Sequence, residues 1–251
     1  MLIVIAKPNI QKVVSTEYSK AQTLSKTHNN PSPLPNEDRI SFTLPNIWAV
    51  ADGAGGTGIL CGEWAEFLLA HLPSVYINSW EAFIAWIEPL AEAFIQEYEP
   101  LIQHDSFQLK RFYQEGSACT LAVVWQVDSI FHWLTFGDSH VFFYANNQLQ
   151  SYPFQSTEEL SGGTHLLNCS IFPNELGFRC GSFEGIYNTC LLATDAISKH
   201  ILLQYQTQAE AFDIFIETLT HSLESPESFW QYIQHNPTIE EDDYSLIIIR
   251  P

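Results

Sequence analysis

The chain has 251 residues, 46 % hydrophobic and 14 % aromatic, with 10 Lys and Arg against 29 Asp and Glu and a formal charge of −19. A chain this long and this apolar buries a substantial core, which excludes disorder as its main state. The acidity argues against nucleic-acid binding, because phosphate backbones are held by Lys and Arg. It leaves divalent cations and basic partners open.

The chain opens MLIVIAKPNI, with six apolar residues before Lys7 and Pro8. That is too short for a signal h-region and predicts a first strand. No run approaches the ~18 apolar residues of a membrane span. Five cysteines (Cys61, Cys119, Cys169, Cys180, Cys190) are widely spaced, odd in number and without a C-x-x-C pair. They fit neither a disulfide framework nor a zinc site and point to reduced, mostly buried thiols. A soluble, cytoplasmic protein without a membrane partner is expected.

In chain order, residues 11–18 predict a strand and 25–35 (SKTHNNPSPLP) a loop too near the start to divide domains, so one domain over 1–251 is expected. Strand-like runs follow at 39–44 and 47–51, the second entering the Gly-rich turn DGAGGTG. Residues 61–72 carry Trp64, Phe67 and Leu68 at helical spacing. From Trp80 apolar pairs recur every four residues, an amphipathic helix that Pro89 should kink or split at Glu88. The middle reads as β, with strands over 117–127, 130–136, 140–145 and 148–152, and tight turns at Asp128-Ser129 and Asn146-Asn147. A strand at 189–193, helices near 196–206, 209–223 and 226–234, and a nearly all-apolar strand at 244–250 complete the chain. The last should lie centrally in a sheet. Blocks of helices beside blocks of hairpins favour antiparallel sheets covered by helices.

Asp52, Asp138, Asp195 and Asp242 each stand in a turn beside a strand-like run, and Asp38 precedes another. Each alone is readily a turn former, and an N-cap fully explains Asp195. Together, carboxylates at strand ends are natural ligands for Mg²⁺ or Mn²⁺, because hard cations prefer oxygen and a rigid sheet can aim several at one point.

The segments NEDR (36–39), AVADGAGG (49–56), GSACTLAVV (116–124), FGDSHVFFY (136–144), LLATDA (191–196) and DDYSLIII (242–249) occur in this order. Together they resemble the metal-dependent serine/threonine protein phosphatases of type 2C, over nearly the whole chain. No single motif is specific; six in order are.

The resemblance implies an α+β fold, an αββα sandwich of two antiparallel sheets flanked by helices, and hydrolysis of phosphoserine or phosphothreonine by a water bridging two metal ions. It implies two or three Mg²⁺ or Mn²⁺ ions. Asp52 would bridge both main ions, the Gly53 carbonyl would ligate one, Asp195 and Asp242 would hold the other, Asp38 would act through metal-bound water, and Asp138 would serve a third ion. A phosphorylated protein as substrate and a cognate kinase as partner follow from the same resemblance. No side-chain nucleophile is then required, since a bound cation depresses the pKa of water.

The sequence departs from the family in one instructive place. The Arg expected shortly before the N-x-D motif is missing from 31–35; Lys26, His28 and Arg39 are the nearby cations. Ala196 replaces a Gly, Ala54 stands where many members carry a His, and His140 follows Asp138-Ser139 on an apolar strand, as a structural residue would. Without a phosphate clamp, binding should weaken more than hydrolysis. A degenerate module that grips a phosphoprotein or kinase with little turnover is therefore the alternative. The other histidines lack zinc-site spacing, the tryptophans sit on periodic apolar faces, and Ser117 lacks a nucleophile elbow.

Overall fold

The computed structural model describes residues 2–5, 11–15, 19–27, 35–41, 46–161, 163–184 and 188–250. Strands β1 (Leu2–Ile5), β2 (Gln11–Ser15) and β3 (Ser19–Leu24) are followed by β4 (Arg39–Ser41) and β5 (Ile47–Gly53). Helices α1 (Cys61–Ala70), α2 (Trp80–Ile102) and α3 (Ser106–Glu115) come next. Then run β6 (Ala118–Val127), β7 (Ile130–Phe136), β8 (His140–Ala145), β9 (Gln148–Tyr152), the short β10 (Leu167–Asn168), β11 (Phe178–Glu184) and β12 (Thr189–Ala193). Helices α4 (Asp195–Gln208), α5 (Phe212–Ser222) and α6 (Pro226–His235) precede the final strand β13 (Tyr244–Ile249).

The strands form two antiparallel sheets, ordered β1-β2-β3-β13-β12-β8-β9 and β11-β7-β6-β5-β4, with β10 paired to β6. The apolar β13 is central, fourth of seven, as its composition predicts. Period-two alternation sorts side chains to the two faces of each sheet. In β6, Cys119, Leu121, Val123 and Trp125 meet α1–α3, while Ala122 and Val124 turn inward. In β12, Leu191 and Ala193 meet α4–α6, while Cys190 and Leu192 join the inward layer. That layer also takes Ile247 and Ile249 from β13 and Val50 from β5, so the two sheets pack face to face. The arrangement is the expected αββα sandwich.

Local expectations fare unevenly. Asp128 (φ 54°), Asn146 (φ 51°) and Asn147 (φ 61°) adopt the left-handed backbone that tight hairpin turns need. Of the two expected effects of Pro89, a kink or a split, the split does not occur: helix α2 runs unbroken past it. Pro89 and Ala85 both lie on its exposed face, so water can satisfy the carbonyl that Pro89 leaves unpaired. The predicted strand at 11–18 ends at Ser15, and 16–18 lie outside the described residues. That at 39–44 ends at Ser41, with 42–44 likewise outside. Of the 25–35 loop, 28–34 lie outside as well. Strands β3, β10 and β11 and helix α3 were not foreseen. Helix α3 buries only Phe112 and is capped by Asp105, whose carboxylate accepts from the Phe107 and Gln108 N–H groups. Strand β11 pairs with β7, and its Gly181 lies against the Trp133 ring.

The described cysteines are free and, apart from half-buried Cys180, buried. Among the described residues no helix is long and apolar enough to cross a membrane.

Candidate active site

Antiparallel pairing decides where the acidic residues go. The register sets Arg39 beside Ala51, Gly53 beside Cys119 and Leu121 beside Phe136. In the other sheet it sets His140 and Leu246 on either side of Ala193. The start of β4, end of β5, start of β6 and end of β7 therefore share one end of their sheet. The start of β8, end of β12 and start of β13 share one end of theirs. The turn 137–139 steps from β7 to β8, from one sheet to the other.

At that end a cleft of about 300 Å³ is lined by Asp52, Asp138, Asp195 and Asp242, with Gly53, Glu37, Asp243 and Lys26 among its other walls. The four carboxylates are half-buried. Asp38 lies at the floor, 1 % exposed. Its Oδ2 accepts from Thr194 Oγ1 at 2.9 Å, while its Oδ1 is buried without a hydrogen-bond partner. Thr194 Oγ1 in turn accepts from the Ser245 N–H (3.0 Å), and Ser245 Oγ donates to Thr23 Oγ1 at 2.8 Å. Asn36 Nδ2 also donates to Thr23 Oγ1 (2.8 Å), and Asn36 Oδ1 accepts from the Asp38 N–H (2.9 Å). Buried hydroxyls of the seven-stranded sheet and the Asn36 amide thus lock Asp38 in place.

Sequence neighbours hold the other acids. Asp195 is the first residue of α4 rather than its N-cap; Thr194 takes the cap position, with its hydroxyl committed to Asp38. Asp195 Oδ1 still accepts from the Ala196 N–H at 2.5 Å, and a helix N-terminus favours an anion there. Asp138 Oδ2 accepts from Thr164 Oγ1, and Thr120 and Ser139 share a hydroxyl bond at 2.7 Å that ties β6 to the Asp138 turn. Gly53 is required by packing. A Cβ there would lie 2.8 Å from the Glu37 carbonyl oxygen and 2.9 Å from the Cys61 backbone. Its carbonyl accepts from the Gly55 N–H at 2.9 Å and keeps a second lone pair.

The electrostatics follow from crowding. Burial first, then the Asp38, Asp195, Asp138 and Asp242 carboxylates, push Asp52 well above the usual carboxylate range. Burial and the Asp243 charge do the same to Asp38, against the pull of its Thr194 hydrogen bond. Burial with Asp138 and Asp242 raises Asp195 to about 7. Burial also raises Asp138, although the Thr164 hydroxyl opposes it. Carboxylates pressed together this way call for positive charge, and an all-oxygen set suits Mg²⁺ or Mn²⁺. The unpartnered Asp38 oxygen fits the same need. Among the described residues, however, no three His, Cys, Asp or Glu side chains are gathered closely enough to hold an ion as they stand.

Solved structures with this architecture are similar over almost the full chain. A mutant of a bacterial serine phosphatase matches with a TM-score of 0.58 at 11 % identity, covering 92 % of this chain and 96 % of that one. The serine/threonine phosphatase PstP/Ppp of Mycobacterium tuberculosis matches with a TM-score of 0.56 at 16 % identity, covering 92 % and 97 %. The catalytic domain of PstP in complex with two manganese ions gives 0.57 at 16 % identity, covering 92 % and 96 %. The fold is that of the bacterial serine/threonine phosphatases. No protein-family model and no curated protein sequence matches the chain.

On this phosphatase fold, the sequence-predicted residues Asp52, Gly53, Asp138, Asp195 and Asp242 line one cleft, with Asp38 beneath. Of the candidate cations, Lys26 lines the cleft. Arg39 does not: its Nη1 donates to the Asn36 (2.5 Å) and Asp38 (2.9 Å) carbonyls, and its Nε to Glu66 (3.3 Å). His28 lies outside the described residues. His140 is buried against Phe142, its Nδ1–H donating to the Asp138 carbonyl at 2.6 Å, and burial lowers it to about 4. Ser117 Oγ donates to the Ile59 carbonyl. Both are structural.

Sequence reasoning passed over Glu37 and Asp243. Asp243 accepts from the Lys26 N–H at 3.0 Å through one oxygen and from the Glu37 N–H at 2.7 Å through the other. It staples two cleft walls together. The signal was faint: each stands directly beside a residue that was singled out.

Proposed function

We propose that the protein is a metal-dependent phosphoprotein phosphatase acting on phosphoserine or phosphothreonine, in one domain and in the cytoplasm, opposite a cognate kinase. The observation that carries this is the convergence of Asp52, Asp138, Asp195 and Asp242, from four separate strand ends, on one cleft. In this reading Asp52, the Gly53 carbonyl, Asp195 and Asp242 hold two divalent ions, and Asp138 serves a third. Bound there, Mg²⁺ or Mn²⁺ supplies neutralising charge for the phosphoryl oxygens and lowers the pKa of water toward neutrality.

The chain's own contribution is placement. The Thr194 hydroxyl and the Asn36 amide fix Asp38 beneath the cleft, and Thr164 orients Asp138. Burial with Asp138 and Asp242 raises Asp195 to about 7, so this carboxyl would lose a proton to solvent on binding an ion there. No side-chain nucleophile is needed.

The experiment is hydrolysis of a phosphothreonine peptide with Mn²⁺, with chelator, and with Asp52→Ala. Turnover that needs both the ion and Asp52 supports the enzyme. A module that binds phosphoprotein with little turnover is the second reading, favoured by the lack of an arginine in 31–35. Ion binding without turnover would select it.

A further inference from the structure

The cleft poses a charge problem that its own walls must solve. Its described lining carries six acids, Glu37, Asp52, Asp138, Asp195, Asp242 and Asp243, against one cation, Lys26. Two divalent ions would still leave this lining net negative, with a formal charge of about −1 when Lys26 is counted and about −2 without it. An incoming phosphate dianion therefore needs that ammonium more than it would in an ordinary pocket.

Lys26 is held where it can answer. Its backbone N–H is pinned to Asp243 Oδ1 at 3.0 Å, and Asp243 also grips the Glu37 N–H. The start of its side chain is thereby fixed to the cleft wall. The Nζ lies 3.4 Å from Asp242 Oδ1, a loose contact for an ion pair. A four-carbon stem lets the ammonium move from that carboxylate to an anion in the same cleft. Arg39, the other described cation nearby, spends its guanidinium on two carbonyls and Glu66.

We propose that Lys26 is the residue that grips the substrate phosphoryl group, taking over from the end of β3 the work of the arginine this chain lacks. The assignment rests on the phosphatase reading above, yet its test does not require turnover. The rival role is a plain counter-ion for Asp242.

The test compares wild type with Lys26→Met, which keeps the stem, and Lys26→Arg, which keeps the charge, after each is shown to retain its circular dichroism. Calorimetry on the Mn²⁺-loaded proteins measures the affinity of inorganic phosphate, and a second titration that of Mn²⁺. The expected result is phosphate binding about 10- to 100-fold weaker in Lys26→Met, as for loss of a charged hydrogen bond, and largely restored in Lys26→Arg. KM for a phosphothreonine peptide should rise more than kcat falls. Unchanged phosphate affinity in Lys26→Met, with Mn²⁺ bound more tightly, overturns the proposal in favour of the counter-ion. Lys26-dependent phosphate binding in a protein that never turns over would keep this proposal and defeat the enzyme reading.

Discussion

Thr194 and Asp38, 156 residues apart in the chain, share a buried hydrogen bond of 2.9 Å at the cleft floor. Thr194 follows β12 in one sheet and Asp38 precedes β4 in the other, so this contact joins the two sheets beneath the acidic cluster. The same hydroxyl accepts from the Ser245 N–H, which leaves it no freedom to turn away.

Thr194→Val should therefore cost about 1–3 kcal/mol, the cost of leaving a buried carboxyl oxygen without its donor. Urea denaturation of the ion-free protein measures it. A cost below about 0.5 kcal/mol would mean that the contact does not support the floor. Asp38→Asn should instead raise the ion-free stability, because it removes a carboxylate that burial and Asp243 already disfavour.

Titratable groups give slopes of opposite sign. Asp195 is raised to about 7 from 3.8, so between these values the native state holds a proton that the unfolded chain has lost. The ion-free protein should lose stability as pH climbs from about 4 to about 7, by about 2–4 kcal/mol from this group, and Asp195→Asn should flatten that loss. Saturating Mn²⁺ keeps the carboxylates ionised, so its stabilisation should grow over the same window, with protons released on binding.

His200 pulls the other way. Buried between α4 and α6, it bonds Thr238 Oγ1 (3.0 Å) and the Tyr232 hydroxyl (2.8 Å), and burial lowers it to about 4. Between pH 4 and about 6.5 the unfolded chain binds the extra proton, so stability from this group is lost as pH falls through that range. His200→Gln keeps hydrogen-bonding groups and should reduce the acid-side slope. Identical slopes in variant and wild type would show that His200 is not held neutral.

Packing at the cleft makes a sharper structural forecast. Gly53→Ala drives a Cβ into the Glu37 carbonyl and the start of α1, both backbone, which cannot yield as a side chain would. Destabilisation of about 1–3 kcal/mol is expected, together with weaker Mn²⁺ binding as the Asp52 loop shifts. Gly56→Ala is the control, since nothing lies within 4 Å of a Cβ there.

Much of this was legible in the residues. The central position of β13 followed from YSLIII, the hairpin turns from Asn146-Asn147 and Asp128-Ser129, and the cleft acids from their places at strand ends. What stayed hidden depends on contacts between distant segments. Helix α3 is polar on average and buries one side chain, so no apolar run marks it in the sequence. Strand β11 is a half-exposed edge whose pairing with β7 no local pattern announces. Pro89 breaks a helix in principle, yet the carbonyl it leaves unpaired is on an exposed face, open to water. Asp243 ends the acidic run 240–243, which names no partner by itself; only the fold brings the Lys26 and Glu37 N–H groups to it. The sequence could name Lys26 and Arg39 as rival cations, and their hydrogen bonds separate them.

The central claim is that carboxylates from four strand ends together hold divalent cations. Anomalous diffraction at the manganese edge from crystals soaked in Mn²⁺ tests it most directly. The account predicts two strong peaks in the cleft, within ligand distance of Asp52, Asp195 and Asp242, and their loss in Asp52→Ala. A cleft without peaks at millimolar Mn²⁺, or ions bound only elsewhere on the acidic surface, would contradict it.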